Sequence, residues 1–245
     1  MRQAAMRGPG KCGTRGGNVR SRTIVGAMQQ PAILARGHWP TERVHARWHD
    51  EHYEPPEHKV EAADAAIAAL RDRGSPSHDG LSARLVGHAE RGDELLLDLQ
   101  PVRWALRLVD GDASHSMAAL TVTRAADGRW LAGRRAAWLS SWPGRWALGA
   151  GGAVDVGESP TDTLTRELDE EWAVQPERMT VEALVRLPHQ LVMVVGLAWL
   201  PDGAEIEMDD EHDDYAWWPA EIAEWPAEAD EPLRRMATLL VAHTA

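Results

Sequence analysis

The spacing of apolar residues changes several times along this 245-residue chain, and each change marks an element. Residues 1–27 have no apolar period and are rich in Gly, Arg, Ser and Asn, which predicts a disordered tail. In residues 31–60, Val44, Trp48 and Tyr53 are too sparse to specify an element. From Glu61 to Arg73, Ala63, Ala66, Ile67 and Leu70 recur at helical spacing until Gly74 stops the run. Leu81 to Val86, Glu94 to Leu99 and Val102 to Leu108 read as short strands bounded by Gly, Asp or Pro. Residues 28–113 therefore predict a small α+β unit, closing near Gly111 to Ser114.

A second unit, residues 114–245, opens with a hairpin. Met117 to Thr123 is a buried-type strand, Ala126-Asp127-Gly128 a turn and Arg129 to Gly133 the return strand. Ser159 and Pro160 then mark a helix start, as N-cap and first helical residue. At about 100° per residue, Leu164, Leu168 and Trp172 share one face of that helix. Val181 to Leu187 and Leu191 to Leu200 read as buried strands, the second with Gly196 marking a bulge or a close backbone approach. Tyr215 to Trp218 is an aromatic strand. Glu221 to Glu224 reads as a short turn and Pro232 to His243 as an amphipathic helix.

Charge and composition narrow the function classes. A net charge of −12 argues against a general nucleic-acid binder, which needs a basic footprint. It leaves a phosphorylated small molecule open, because bound cations invert a local field. The single Cys12 excludes a disulfide framework and a cysteine-rich zinc site, and fits a reducing cytoplasm. No apolar run approaches the roughly 18 residues of a membrane helix, so no membrane partner is expected. His45 and His49 have the i, i+4 spacing a helix needs to share a metal. No Cys joins them and Pro55-Pro56 breaks the segment, so a polar, partly exposed stretch is the expectation. His78 and Asp79 could be catalytic, but the surrounding Ser-Pro and Asp-Gly turns account for them. Trp130, Trp138, Trp142 and Trp146 could stack on a nucleobase. In a chain of 12 Trp and no Phe the core must use tryptophan, so packing is expected for each.

The chemistry concentrates in Gly152 to Val174, GAVDVGESPTDTLTRELDEEWAV, behind the glycine-rich Gly149 to Gly152. On a helix, Glu167, Glu170 and Glu171 fall close together beside the apolar face. Three such carboxylates repel unless a cation neutralises them, and Mg²⁺ prefers oxygen ligands while bridging to phosphates. Arg166, at i, i+4 to Glu170, can hold that carboxylate in place. From spacing alone, a metal site and a solvated acidic face fit equally.

The stretch resembles the Nudix box, G-x5-E-x7-R-E-U-x-E-E-x-G-U with U aliphatic. Gly152 takes the opening glycine, Glu158 the first glutamate, and Arg166 and Glu167 the Arg-Glu pair. Leu168, Glu170, Glu171 and Val174 take the remaining places, while Ala173 stands where the pattern has its second glycine. That glycine usually ends the helix left-handed, where alanine costs on the order of 1 kcal/mol.

The resemblance implies an α/β/α sandwich with a mixed central sheet over roughly residues 115–240. It implies Mg²⁺- or Mn²⁺-dependent hydrolysis of a nucleoside diphosphate linked to another moiety. Glu167, Glu170 and Glu171 would be metal ligands, Glu158 a further one, Arg166 their orienter, and Gly151 and Gly152 the structural loop. The base varies in the family. Glu211 or Asp213, in the acidic tract before Tyr215, is the candidate here. The second reading is a catalytically weak Nudix-like fold kept for ligand sensing or interaction. The N-terminal unit would shape substrate choice, cap the site or pair two copies as a homodimer.

Overall fold

Ser159 and Pro160 begin a helix for the reason their sequence suggests. In this computed structural model, which describes residues 31–75, 79–139 and 141–242, α2 (Pro160–Trp172) starts at Ser159. Ser159 and Asp162 bond reciprocally in a capping box, satisfying two amides at the helix start. The predicted tail and His78 lie outside the described residues.

Among the described residues, eleven strands precede and follow this helix in the order β1 (Ala32–Pro40), β2 (Val44–Trp48), β3 (Leu81–Arg91), β4 (Glu94–Arg103), β5 (Met117–Arg124), β6 (Trp130–Arg135), β7 (Trp146–Leu148), β8 (Ala150–Ala153), β9 (Arg178–Arg186), β10 (Val192–Trp199) and β11 (His212–Trp218). Helix α1 (Glu57–Asp72) lies between β2 and β3, and α3 (Glu231–Val241) closes the described chain. The large sheet runs β1-β9-β10-β5-β6-β11, with β7 beside β6 and β8 beside β5. It is mixed: β10 runs parallel to β5, with Val192 opposite Met117, and its other pairs are antiparallel. Helix α2 packs on one face through Leu164, and α3 on the other through Leu233, Ala237 and Leu240. This is the expected α/β sandwich.

Three expectations are corrected. Residues 31–60 contain two strands, and β1 joins the large sheet beside β9, with Trp39 opposite Val181. Only Ala35 and Trp39 of β1 are buried hydrophobics, so its period is too thin to read. Residues 104–108 form a 3₁₀ turn rather than a strand. Asp79 bends the chain there: it takes hydrogen bonds from the Arg103 guanidinium and from the Ala105 amide at 3.3 Å. Third, β11 starts at His212, so only Glu211 of the Glu211 to Asp214 run precedes the strand.

The small sheet, β2-β4-β3, is built onto the large one. Leu95, Leu97 and Leu99 of β4 share a buried core with Met117, Val154, Leu164 and Val194. Gly196 combines both expected features. The β9–β10 register shifts beside it, and a Cβ there would meet Leu164 Cδ1 at 2.8 Å.

Ala173 is left-handed, at φ 51° and ψ 38°. Burying Leu164, Leu168 and Trp172 contributes about 1.5–3 kcal/mol for each side chain of that kind, far more than the roughly 1 kcal/mol left-handed alanine costs. Packing therefore keeps the helix exit. Because Ala173 is exposed, Ala173→Gly should raise stability by about 1 kcal/mol in urea denaturation, and an unchanged or lower midpoint would count against this strain.

Candidate active site

With Leu164, Leu168 and Trp172 fully buried, the opposite side of α2 faces the loop that follows β8. Thr121 on β5 donates to the Leu164 carbonyl at 2.8 Å and fixes the helix height over the sheet. Gly152 then passes so close that a Cβ there would collide with the Glu167 carboxylate. The box glycine is thus explained by contact with a box glutamate.

Arg166 is the hub of this surface. Its Nε donates to Glu158 Oε1 at 2.8 Å, and its Nη1 to Glu167 Oε1 at 2.7 Å and Glu170 Oε2 at 2.9 Å. Nη2 donates to the Ala153 carbonyl at 3.2 Å. Glu158 also accepts from Thr163 Oγ1 at 2.7 Å and the Asp155 amide at 3.3 Å. Burial pushes the Glu158 pKa up, but the Arg166 and Thr163 bonds outweigh it and the net shift is down.

Two carboxylates behave differently. Burial raises the Glu167 pKa to about 7, against the pull of Arg166 and helped by the charges of Glu170 and Glu211. Glu171, with a side chain only 4% exposed, is raised well above the usual range by burial, then by Glu167 and Glu211. Its Oε1 accepts from the Gly151 amide at 2.8 Å, while its buried Oε2 has no hydrogen bond. A buried carboxylate oxygen left in this state costs free energy unless another group meets it.

Glu211 stands across from them. Its pKa is raised by burial, against the pull of Arg135, whose Nη2 is 3.4 Å from Oε2. Its neighbour His212 was not singled out by sequence, although it sits in the same acidic run. The ring is buried against Trp172, centroids 4.3 Å apart, with Nε2 3.6 Å from Glu171 Oε2 and Nδ1 3.2 Å from Asp209 Oδ1. Burial lowers its pKa, with Asp209 opposing.

The structure thus brings Glu158, Arg166, Glu167 and Glu170 into one bonded network, with the charges of Glu211 and Glu167 acting on Glu167 and Glu171 respectively. Glu170 is the outermost, 58% exposed, and Asp213 is exposed on β11. These donors are all oxygen atoms, suited to a hard divalent cation. Among the described residues no three His, Cys, Asp or Glu side chains are already gathered for a metal, and Arg166 sits between the carboxylates. His45 lies on strand β2, not on a helix, so the i, i+4 metal pair does not form.

Tryptophan packing holds for Trp130, buried against Trp225 at 5.6 Å, but not for Trp138 or Trp142, which are 48% and 44% exposed. They sit on the turn between β6 and β7, which the hairpin bonds of Arg135 and Gly144 hold away from the core. Trp146 borders an open groove of about 450 Å³ with Trp218, Pro219 and Glu224.

Part of this chain is similar to several solved structures. The MutT protein from Methanosarcina mazei Go1 is 20% identical over 53% of this chain and 94% of its own, with a TM-score of 0.41. The NUDIX domain of Shewanella oneidensis NrtR, solved with ADP ribose, is 23% identical over 51% of this chain and 88% of its own, with a TM-score of 0.41. A C. elegans Ap4A hydrolase is 22% identical over 52% and 95%, at the same TM-score of 0.41. No curated protein matches the chain. The model of the NUDIX domain matches residues 114–240, which contain the box, both its helix flanks and Glu211, and on that match the chain belongs to the NUDIX family.

Proposed function

We propose that this chain is a Mg²⁺- or Mn²⁺-dependent hydrolase that cleaves the diphosphate linkage of a nucleoside diphosphate joined to another moiety. The observation that carries this reading is Glu171: a buried carboxylate with one oxygen bound by the Gly151 amide and one without a hydrogen bond, its pKa raised by burial and then by the charges of Glu167 and Glu211. Like charges held this close favour a cation. Glu167, Glu170 and Glu171 would hold it, with Glu158 supporting, and it would supply charge neutralisation on the diphosphate and a more acidic water.

The remaining work falls to the chain. Arg166 fixes Glu158, Glu167 and Glu170 on the side of α2 away from the core. The Gly151 amide orients Glu171, and His212 closes the space behind it. Glu211, whose raised pKa makes its carboxylate the better base, takes the proton from the attacking water. The water oxygen bonds to phosphorus, the bridging P–O bond breaks, and the leaving phosphate departs with the electron pair.

Glu171→Gln keeps the shape of the side chain and removes its charge. It should lower Mg²⁺-dependent hydrolysis of a nucleotide-diphosphate panel by roughly a hundredfold or more, since several kcal/mol of charge stabilisation depend on it. Activity near that of the wild type would remove Glu171 from the mechanism. A wild type that turns over nothing in the panel would instead favour ligand sensing. Hydrolysis in oxygen-18 water offers a second check. Attack on phosphorus puts the label on a phosphate product, whereas label on a sugar hydroxyl would mean attack on carbon.

A further inference from the structure

The loop from β8 to α2 takes part of its support from outside the NUDIX domain. Within the domain, the Val154 amide donates to the Met117 carbonyl at 3.3 Å, and the Glu158 amide to the Asp155 carbonyl at 3.2 Å. Other partners come from residues ahead of the matched 114–240. The Ala83 amide donates to the Val154 carbonyl at 2.7 Å, and Ser82 forms a β-bridge with Asp155. Trp48 Nε1 donates to the Glu158 carbonyl at 3.0 Å. The small sheet thus holds the loop at three points, and the last is the backbone of a box glutamate.

Trp48 is placed for this contact by its strand. Alternation along β2 puts Val44, Ala46 and Trp48 on one face, and all three pack on the core that Leu95, Leu97 and Leu99 share with Val154 and Leu164. Pairing of β2 with β4 sets Trp48 opposite Leu99, and the His49 amide continues the pairing onto the Leu99 carbonyl at 2.8 Å. The ring is half-buried, with its N–H turned to the loop. An indole N–H can only donate, so it needs an acceptor such as this carbonyl. Helical bonding in α2 starts with the Ser159 carbonyl, which takes the Thr163 amide at 3.2 Å. The Glu158 carbonyl stands one residue ahead of that ladder.

The peptide joining Glu158 to Ser159 is therefore held at both ends. Its oxygen takes the Trp48 N–H, and its own amide donates to Asp162 Oδ2 at 3.2 Å in the capping box. A peptide is a rigid plane, so bonds at its two ends fix its rotation. The Glu158 side chain leaves the edge of that plane to meet Arg166 Nε at 2.8 Å and Thr163 Oγ1 at 2.7 Å. Turning the plane would swing this carboxylate off Arg166, the same guanidinium that holds Glu167 and Glu170. The capping bond belongs to α2 itself, whereas the indole bond comes from a separate sheet.

We propose that Trp48 is a positioning residue of the site: its indole N–H, set on the Glu158 carbonyl by the small sheet, fixes where the Glu158 carboxylate meets Arg166 and so the spacing of the carboxylates that take the cation. This rests on the cation site of the hydrolase reading above. Trp48 acts through Glu158 and not on a reacting group. The N-terminal unit then completes the geometry of a box that lies wholly outside it.

Trp48→Phe keeps a ring on the core and removes the donor. Titrated with Mn²⁺ as the full chain, it should bind the ion roughly two- to tenfold more weakly than the wild type, the range expected for one lost neutral hydrogen bond. In the metal-free chain, amide exchange from Val154 to Ser159 should rise more than exchange in the large sheet. Trp225→Phe is the control, since it removes an indole bond of 2.8 Å to the Pro219 carbonyl in the core under α3. It should lower the melting temperature and leave Mn²⁺ affinity and loop exchange unchanged. In a Glu158→Gln background, Trp48→Phe should weaken Mn²⁺ binding much less than in the wild type, because both changes act through one group. Wild-type Mn²⁺ affinity or loop exchange in Trp48→Phe, or full additivity with Glu158→Gln, would overturn the proposal and leave the hydrolase reading intact. If Trp48→Phe melts too low to titrate, a benzothiophene ring in place of the Trp48 indole keeps the shape and lacks the N–H. Weaker Mn²⁺ binding in that chain supports the role, and unchanged affinity overturns it. A wild type that binds no Mn²⁺ overturns the cation site and the Trp48 role together, whereas one that binds Mn²⁺ and hydrolyses no diphosphate overturns the hydrolase reading alone.

Discussion

The Arg166 guanidinium is the interaction on which the rest of the site depends. It bonds Glu158, Glu167 and Glu170 and the Ala153 carbonyl, and so ties the loop after β8 to the helix that follows it. Charged hydrogen bonds of this kind are roughly twice as strong as neutral ones, and breaking a partly buried set leaves carboxylates unpaired. One cation cannot balance every acid here. Glu171 and Glu211 lie outside its bonds, and both are pushed towards the protonated form by burial and by neighbouring carboxylates, Glu167 and Glu211 for the first, Asp209 and Glu170 for the second. That residual imbalance is the physical basis of the proposed cation site.

The frame that holds Arg166 comes from two directions. Below, Leu164, Leu168 and Trp172 anchor α2 to the large sheet, and the Gly196 backbone lets Leu164 come close. To the side, the small sheet reaches Val154, Asp155 and Glu158. The first support lies inside the NUDIX domain. The second comes from residues that precede it, and strand β1 extends the large sheet itself.

What the sequence made legible follows from the range of each signal. The capped start of α2, its apolar face and the box spacing are local, so Glu158, Arg166, Glu167, Glu170 and Glu171 could be placed on one surface before any fold was known. The strands from Met117 and from Leu191 carry dense apolar runs and were equally plain. Strand β1 was not, because an edge strand with two buried hydrophobics has almost no period. The turn at Trp104–Leu108 was hidden because Asp79, distant in sequence, makes it. His212 matters through Glu171, a partner brought to it by tertiary packing. Ala173 was visible as a departure, and the structure accommodates it by taking the left-handed exit with alanine.

A cation held by these carboxylates is what the proposed chemistry requires. Titrating Mn²⁺ into the full chain while following the free-ion electron paramagnetic resonance signal tests it most directly. The free signal should fall saturably in the wild type and much less in Glu167→Gln, which retains the helix but lowers the charge. A wild type that leaves the Mn²⁺ signal unchanged, or a Glu167→Gln chain that binds Mn²⁺ as tightly as the wild type, would contradict it.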